Sequence, residues 1–116
     1  MGMKYLLGID LGTSSLKTIV LPAACTTIGS ATFRECSGLM RVEFPAALKK
    51  IGGNAFAKCV SLREMVMVSP IPPSISSSTF KGVVLDACKV TIPRGSRNNF
   101  KKDRAWSKMP QLVEQE

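Results

Sequence analysis

Apolar side chains recur along the chain with a spacing of 23 residues. At this offset Leu21-Pro22 matches Phe44-Pro45, and Ile28-Gly29 matches Ile51-Gly52. The other matched pairs are Phe33 with Phe56, Cys36 with Cys59, Leu39 with Leu62, Val42 with Met65, and Phe44 with Met67. A fixed period of this length is the signature of repeat proteins, in which each unit buries its apolar side against the next unit.

Each repeat predicts a short strand, a turn and a short helical segment. The ending L-x-x-V-x-F places alternate strand side chains on one face, and the Pro that follows removes a backbone donor and ends the strand. The x-x-F-x-x-C portion has the three-residue spacing of a helical or 3₁₀ turn. The Gly after Ile28 and Ile51 suits a turn with positive φ. The predicted fold is a β-rich (α+β) solenoid of short parallel strands.

The repeat extends in both directions from its two clearest copies. Leu16, Ile19 and Leu21 fall at the strand positions of a preceding repeat, and Val90–Pro93 predicts a further strand that ends in Pro. The proline-rich Ser69–Ser74 lengthens the last repeat, and terminal repeats are expected to be atypical. We therefore divide the chain into a leader (1–14), regular repeats (15–68), and an atypical last repeat with a C-terminal cap (69–116).

These residues resemble the BspA-type leucine-rich repeats of bacterial surface proteins, whose repeat has the pattern L-P-x-x-x-x-x-I-G-x-x-A-F-x-x-C-x-x-L. The C-terminal third is similar to that family's closing repeat. The matching positions there are Pro72–Phe80, Cys88–Pro93, Gly95-Ser96, Phe100 and Ala105-Trp106. The resemblance covers about residues 15–115. It implies a leucine-rich repeat solenoid with a role in adhesion or partner recognition on an exported parent protein.

The first fourteen residues do not continue the repeat, because Asp10 stands where the pattern requires a buried Phe. They resemble instead the amino terminus of FGGY-type sugar kinases, in which a strand leads into D-x-G-T-x-S. Asp10, Gly12, Thr13 and Ser15 match this motif. The resemblance implies an Asp that organises magnesium and a turn that binds phosphate.

The kinase resemblance covers only about residues 3–20, whereas phosphoryl transfer needs groups from both sides of the nucleotide. We therefore expect an inactive leader that shields the open end of the stack. Two alternatives stay open: a remnant of a nucleotide-binding enzyme, and a fusion or chimera that joins two families near Ser15 and has no function of its own.

Composition argues against catalysis and against metal or cofactor binding. The chain contains no His, which removes the commonest general base and metal ligand. Its four cysteines include no C-x-x-C pair, so the spacing is not that of a zinc site. No run approaches the roughly eighteen apolar residues of a membrane helix. The apolar Met3–Leu11 is interrupted by Asp10 and makes a poor signal peptide.

Cys36 and Cys59 occupy the same position in successive repeats and should lie about 5 Å apart. Their side chains would point the same way, which is unfavourable for a disulfide, so we expect a ladder of buried thiols. Cys25 lies in a predicted turn and is expected to be exposed. Cys88 precedes the last predicted strand and is expected to be structural. A disulfide scaffold is the alternative if the parent protein is secreted.

The outward strand positions form the predicted binding face. They are Thr18, Val20, Arg41, Glu43, Glu64, Val66, Lys89 and Thr91. Repeat proteins commonly bind through such extended surfaces, and about four repeats suit a modest or multivalent affinity for a protein or glycan partner. The open amino-terminal end of the stack is a second candidate surface, for self-association.

The net charge is +8, and half of the 16 Lys and Arg residues lie after residue 80. The basic residues there are Lys81, Lys89, Arg94, Arg97, Lys101, Lys102, Arg104 and Lys108. They form either a solvated cap surface or a docking patch for anionic partners. The 6% aromatic content argues against nucleic acid as a partner, because few rings are available for base stacking. Phe100, Trp106, Met109 and Leu112 are predicted to cover the last repeat as core.

Overall fold

The computed structural model describes residues 18–115, and their main element is one parallel sheet. Its strands are β1 (Thr18–Val20), β3 (Arg41–Phe44), β5 (Glu64–Met67), β6 (Lys89–Ile92) and β7 (Leu112–Glu114), in the order β1-β3-β5-β6-β7. A second, two-stranded parallel sheet pairs β2 (Thr27–Ile28) with β4 (Lys50–Ile51). The predicted short parallel strands are confirmed.

The register of the sheet follows the sequence period. Thr18 pairs with Arg41 and Arg41 pairs with Glu64, each at the predicted offset of 23 residues. Glu64 pairs with Lys89, a longer step, because the proline-rich Ser69–Ser74 lies between those two strands. β7 was not predicted; it pairs in parallel with β6, so the cap adds a strand to the sheet.

Aromatic rings connect the repeats through the core. Phe33 stacks on Phe56 with ring centroids 5.1 Å apart, and Phe56 stacks on Phe80 at 5.6 Å. Trp106 contacts Phe80 and Phe100 edge-to-face, at 6.0 and 5.7 Å. Such pairs add about 0.5–1.5 kcal/mol each beyond the area they bury. The predicted core role of the cap residues is confirmed, since Phe100, Trp106, Met109 and Leu112 are all buried.

The segment opposite the sheet consists of turns rather than regular helix. The Cys36 N–H donates to the Phe33 carbonyl at 3.2 Å, the three-residue spacing that the sequence predicted. Neighbouring repeats are also hydrogen-bonded here: the Phe33 N–H donates to the Ala55 carbonyl at 2.8 Å, and the Phe56 N–H to Thr79 at 2.9 Å. The described helices are short: α1 (Arg97–Lys102) and 3₁₀ turns at Leu85–Ala87 and Trp106–Lys108.

The predicted role of the repeat glycine was wrong. Positive φ angles occur instead at Ala31 and Asn54 and, four residues later, at Glu35 and Lys58. Gly52 is required for a different reason: a Cβ there would lie 2.6 Å from the backbone nitrogen of Ser30. The glycine therefore permits close approach between successive repeats.

All four cysteines are buried thiols, and none forms a disulfide. The ladder predicted for Cys36 and Cys59 is confirmed as buried, and the Cys59 thiol donates to the Phe33 carbonyl at 3.1 Å. The prediction that Cys25 is exposed was wrong. Its backbone N–H donates to the Pro22 carbonyl at 3.0 Å, and this turn directs the side chain into the core, where it is fully buried.

The predictions for the leader, residues 1–14, and for Asp10, Gly12, Thr13 and Ser15 lie outside the described residues. Within residues 18–115, no helix has the length and hydrophobicity needed to cross a membrane.

Candidate functional site

The sheet brings the eight predicted binding-face residues together in two parallel rows. Pairing of β1, β3, β5 and β6 places Thr18, Arg41, Glu64 and Lys89 side by side in the first row. The second row contains Val20, Glu43, Val66 and Thr91. The sequence period located the members of both rows on β1, β3 and β5, because a constant offset between parallel strands keeps equivalent positions in register. Lys89 and Thr91 were located from the alternation of the strand that ends at Pro93, since their step from β5 is longer.

Exposure along the two rows is uneven. Thr18 and Lys89 are exposed, and Val20 is 65% exposed, which is high for an apolar side chain. Val66 was predicted to point outward but is only 9% exposed. Its position explains this, since it is flanked within the sheet by Glu43 on one side and Thr91 on the other.

Arg41 is the electrostatic centre of the face. Its Nη1 donates to Oε2 of Glu43, and its Nε lies 3.3 Å from Oε1 of Glu64. The hydrogen bond to Glu43 is the main reason that the pKa of Arg41 is raised, with both carboxylates adding to it. The side chains are about a third exposed, so each pair contributes about 1 kcal/mol or less. These interactions hold the guanidinium of Arg41 in place. Lys89 lies beside Glu64, at the next position of the first row.

Sequence reasoning missed three residues of this face. Met40 and Arg63 directly precede β3 and β5 and, with the first row, line a shallow depression of about 420 Å³. Val113 on β7 pairs with Thr91 and extends the second row, with 41% exposure. The sequence could have identified Met40 and Arg63, since they occupy equivalent positions in successive repeats. The three-residue β7 was too short to identify from alternation.

A larger groove, of about 790 Å³, lies between the proline-rich segment and the cap. Sequence reasoning did not identify it as a site. Its apolar lining includes Leu48, Ile71, Ile75, Phe80, Leu85 and Met109. Its charged lining residues are Lys49, Lys81, Asp103, Arg104 and Lys108. The volume is in the range typical of ligand-binding pockets.

Hydrogen bonds fasten the wall of this groove that the proline-rich segment forms. The Trp106 Nε1–H donates to the Pro73 carbonyl at 2.7 Å, and the Asn99 side-chain amide donates to the Pro70 carbonyl at 3.0 Å. On its other side, the Ser74 N–H donates to the Lys49 carbonyl at 2.8 Å, beside β4. The groove is therefore bounded by segments that are anchored to each other.

Comparison with known families agrees with the repeat geometry. The family model described as the BspA-type leucine-rich repeat region (six copies) matches residues 11–103, more than half of the chain. The chain belongs to the BspA-type leucine-rich repeat family. No curated protein matches it. Neither comparison identifies a sugar kinase.

In this BspA-type repeat chain the surroundings of the buried thiols suit a structural role rather than a reactive one. Desolvation raises the pKa of Cys59 to about 12 and that of Cys88 to about 11, and burial also raises the pKa of Cys25. A protonated, buried thiol is a poor nucleophile and a poor metal ligand. Within residues 18–115, no three His, Cys, Asp or Glu side chains are grouped as a metal site.

Proposed function

We propose that the chain is a non-catalytic protein-interaction module, built as a short solenoid whose sheet face contacts the partner. The observation that carries this proposal is the register of β1, β3, β5 and β6, which aligns equivalent side chains from four repeats on one continuous surface. The repeat family is generally non-enzymatic, and repeat proteins commonly bind through such surfaces.

The chemistry of the face favours a protein partner. Glu43 and Glu64 offset two of the three basic residues of the face, so it carries only a small excess of positive charge. Exposed apolar groups, Val20 at 65% among them, stand beside these charges. A mixture of exposed apolar groups and oriented ion pairs suits the mixed surface of another protein.

We further propose that the parent protein is secreted or displayed on the bacterial cell surface and serves in adhesion. BspA-type repeats are typical of bacterial surface proteins, which supports this location. A small binding face fits such a setting, because several copies on one surface raise the effective affinity without any new contact.

The test uses the purified chain displayed at high density on beads and exposed to extracellular proteins, with each retained protein then purified and measured singly. The double variant Val20→Glu/Lys89→Glu changes the face at two exposed positions. We expect it to weaken binding about tenfold or more, the effect of losing one well-placed contact.

The matched control is Val60→Glu/Lys101→Glu, which introduces the same changes at exposed positions outside the strands of the sheet. It should bind like the unsubstituted chain. Equal binding by the face variant and the unsubstituted chain would show that the partner does not use the sheet face.

A further inference from the structure

The groove between the proline-rich segment and the cap has a strong excess of positive charge. Four of its lining residues are basic and exposed, namely Lys49, Lys81, Arg104 and Lys108. Within residues 18–115, none of the four forms a salt bridge. Their charges therefore add to one local field rather than cancel against neighbouring carboxylates.

Among the described residues of the lining, the single carboxylate is that of Asp103, and it has a structural role. Oδ1 of Asp103 accepts hydrogen bonds from the backbone N–H groups of Ala105 and Trp106, at 2.9 and 3.0 Å. It thereby holds the start of the 3₁₀ turn at Trp106–Lys108 in place. Asp103 offsets one of the four positive charges, so the lining keeps an excess of cations that attracts an anionic ligand.

Between these cations the groove is apolar. Phe80 and Met109 are largely buried, whereas Ile71 at the edge is 61% exposed. Ile71 therefore adds exposed apolar surface to the edge of the groove. Ile71 and the four basic side chains are exposed, so the groove is accessible to a segment of another chain.

We propose that this groove binds an acidic peptide segment of a partner protein, with apolar side chains of the segment against Ile71 and the partly buried Ile75 and its carboxylates beside Lys81, Arg104 and Lys108. Charge complementarity selects acidic residues, and the apolar lining selects bulky ones between them. The anchored walls reduce the ordering cost of binding, because the hydrogen bonds of Trp106 and Asn99 already hold the proline-rich segment. This site is distinct from the sheet face and goes beyond the function proposed for it.

The test is fluorescence anisotropy with labelled degenerate hexapeptides, in which two central positions hold mixed bulky apolar residues and both ends are acidic. Two comparison pools replace either the acidic ends by Lys or the central pair by Ser. We expect saturable binding of the first pool alone, at concentrations up to about 1 mM. Absence of binding in that range, or equal binding of the Ser pool, overturns the proposal.

Two pairs of variants locate the binding. Lys81→Glu/Lys108→Glu should weaken it about tenfold, through the loss of two exposed charge contacts. Lys101→Glu/Lys102→Glu makes the same change of net charge on exposed residues outside the groove lining, and should leave it nearly unchanged. Ile71→Ser should also weaken binding, whereas Val60→Ser, at an exposed site elsewhere, should not.

Equal weakening by both charge variants would show general attraction to a basic protein and would overturn the proposal. So would binding of octanoate in the groove, lost in the Ile71→Ser variant, without binding of any peptide, since the groove would then be a site for small amphiphilic anions. The sheet-face variant Val20→Glu/Lys89→Glu should bind the acidic pool normally, so failure of one proposed site is distinguishable from failure of the other.

Discussion

At the scale of single residues, Gly52 allows one repeat to pack closely against the next. A Cβ at this position would meet backbone atoms of Gly29 and Ser30 at 2.6–2.9 Å, and backbone cannot rotate away as a side-chain tip can. We expect Gly52→Ala to destabilise the fold by about 1–3 kcal/mol, the usual cost of overpacking. Denaturant unfolding monitored by circular dichroism measures this cost.

Gly53→Ala provides the matched control for that substitution. Its Cβ would approach only the hydroxyl oxygens of Ser78 and Ser76, at 3.2 and 3.4 Å, and these side chains can move. We expect a clearly smaller loss of stability. Equal losses for the two variants would show that close approach at Gly52 does not control repeat packing.

The thiols give a second prediction at this scale. Burial raises the pKa of Cys59 to about 12 and that of Cys88 to about 11, from an ordinary value of 9.0. We expect both thiols to resist alkylation by iodoacetamide at pH 8 in the folded chain and to react after unfolding in guanidinium, with peptide mass spectrometry assigning the sites. Rapid labelling of Cys59 under native conditions would contradict this burial.

The same shifts predict how stability changes with pH. Because the folded-state pKa values are raised, unfolding releases protons once the pH exceeds the ordinary value of 9.0. The contribution of these thiols to stability is complete below about pH 9 and falls as the pH rises from there towards 11–12. Comparing unfolding at pH 8 and 10 for the unsubstituted chain and for Cys59→Ala tests this, since the variant should lose part of the dependence.

At the scale of elements, the cap is joined to the last repeat through Trp106. Its ring contacts Phe80 and Phe100, and its Nε1–H donates to the Pro73 carbonyl within the proline-rich segment. We expect Trp106→Phe to cost about 1–3 kcal/mol, since a buried carbonyl loses its donor, and Trp106→Ala about 3–5 kcal/mol. Thermal unfolding by circular dichroism should give this order.

Asn99→Ala is the comparison variant, because Asn99 also joins the cap to the proline-rich segment. The Asn99 amide also donates to the proline-rich segment, at the Pro70 carbonyl, but this hydrogen bond is exposed. Its loss should cost at most about 1 kcal/mol. If Trp106→Phe were as mild as Asn99→Ala, the buried hydrogen bond to Pro73 would not be holding the cap.

At the scale of the whole molecule, the question is whether the leader gives the chain a nucleotide site. Asp10, Gly12, Thr13 and Ser15 resemble a kinase motif in sequence, a resemblance that neither comparison supports and that would supply only one side of a phosphate site. We expect millimolar Mg-ATP to leave the melting temperature unchanged. A ligand at a hundred times its dissociation constant would stabilise the fold by about 2.7 kcal/mol, a shift that thermal scanning detects readily. An upward shift abolished by Asp10→Ala would contradict the expectation.

The sequence by itself determined the repeat architecture, because a period of 23 residues repeats every inward apolar position. It therefore predicted β3, β5 and the register that joins them. β6 was predicted from its own apolar alternation and the Pro that ends it, which completed the two rows of the sheet face. It also predicted burial of Trp106 and its neighbours in the cap. These features depend on local pattern and on the constant offset between parallel strands, both of which are visible in one dimension.

Only the tertiary structure decided what depends on distances between repeats. The reason for Gly52 is a close approach to Ser30, and no local pattern distinguishes that from a turn with positive φ. Cys25 is buried because its turn folds inward, and Val66 is shielded by the strands on both sides. The basic groove forms where Ser69–Ser74 meets a cap more than twenty residues later, so its charges converge only once the chain has folded.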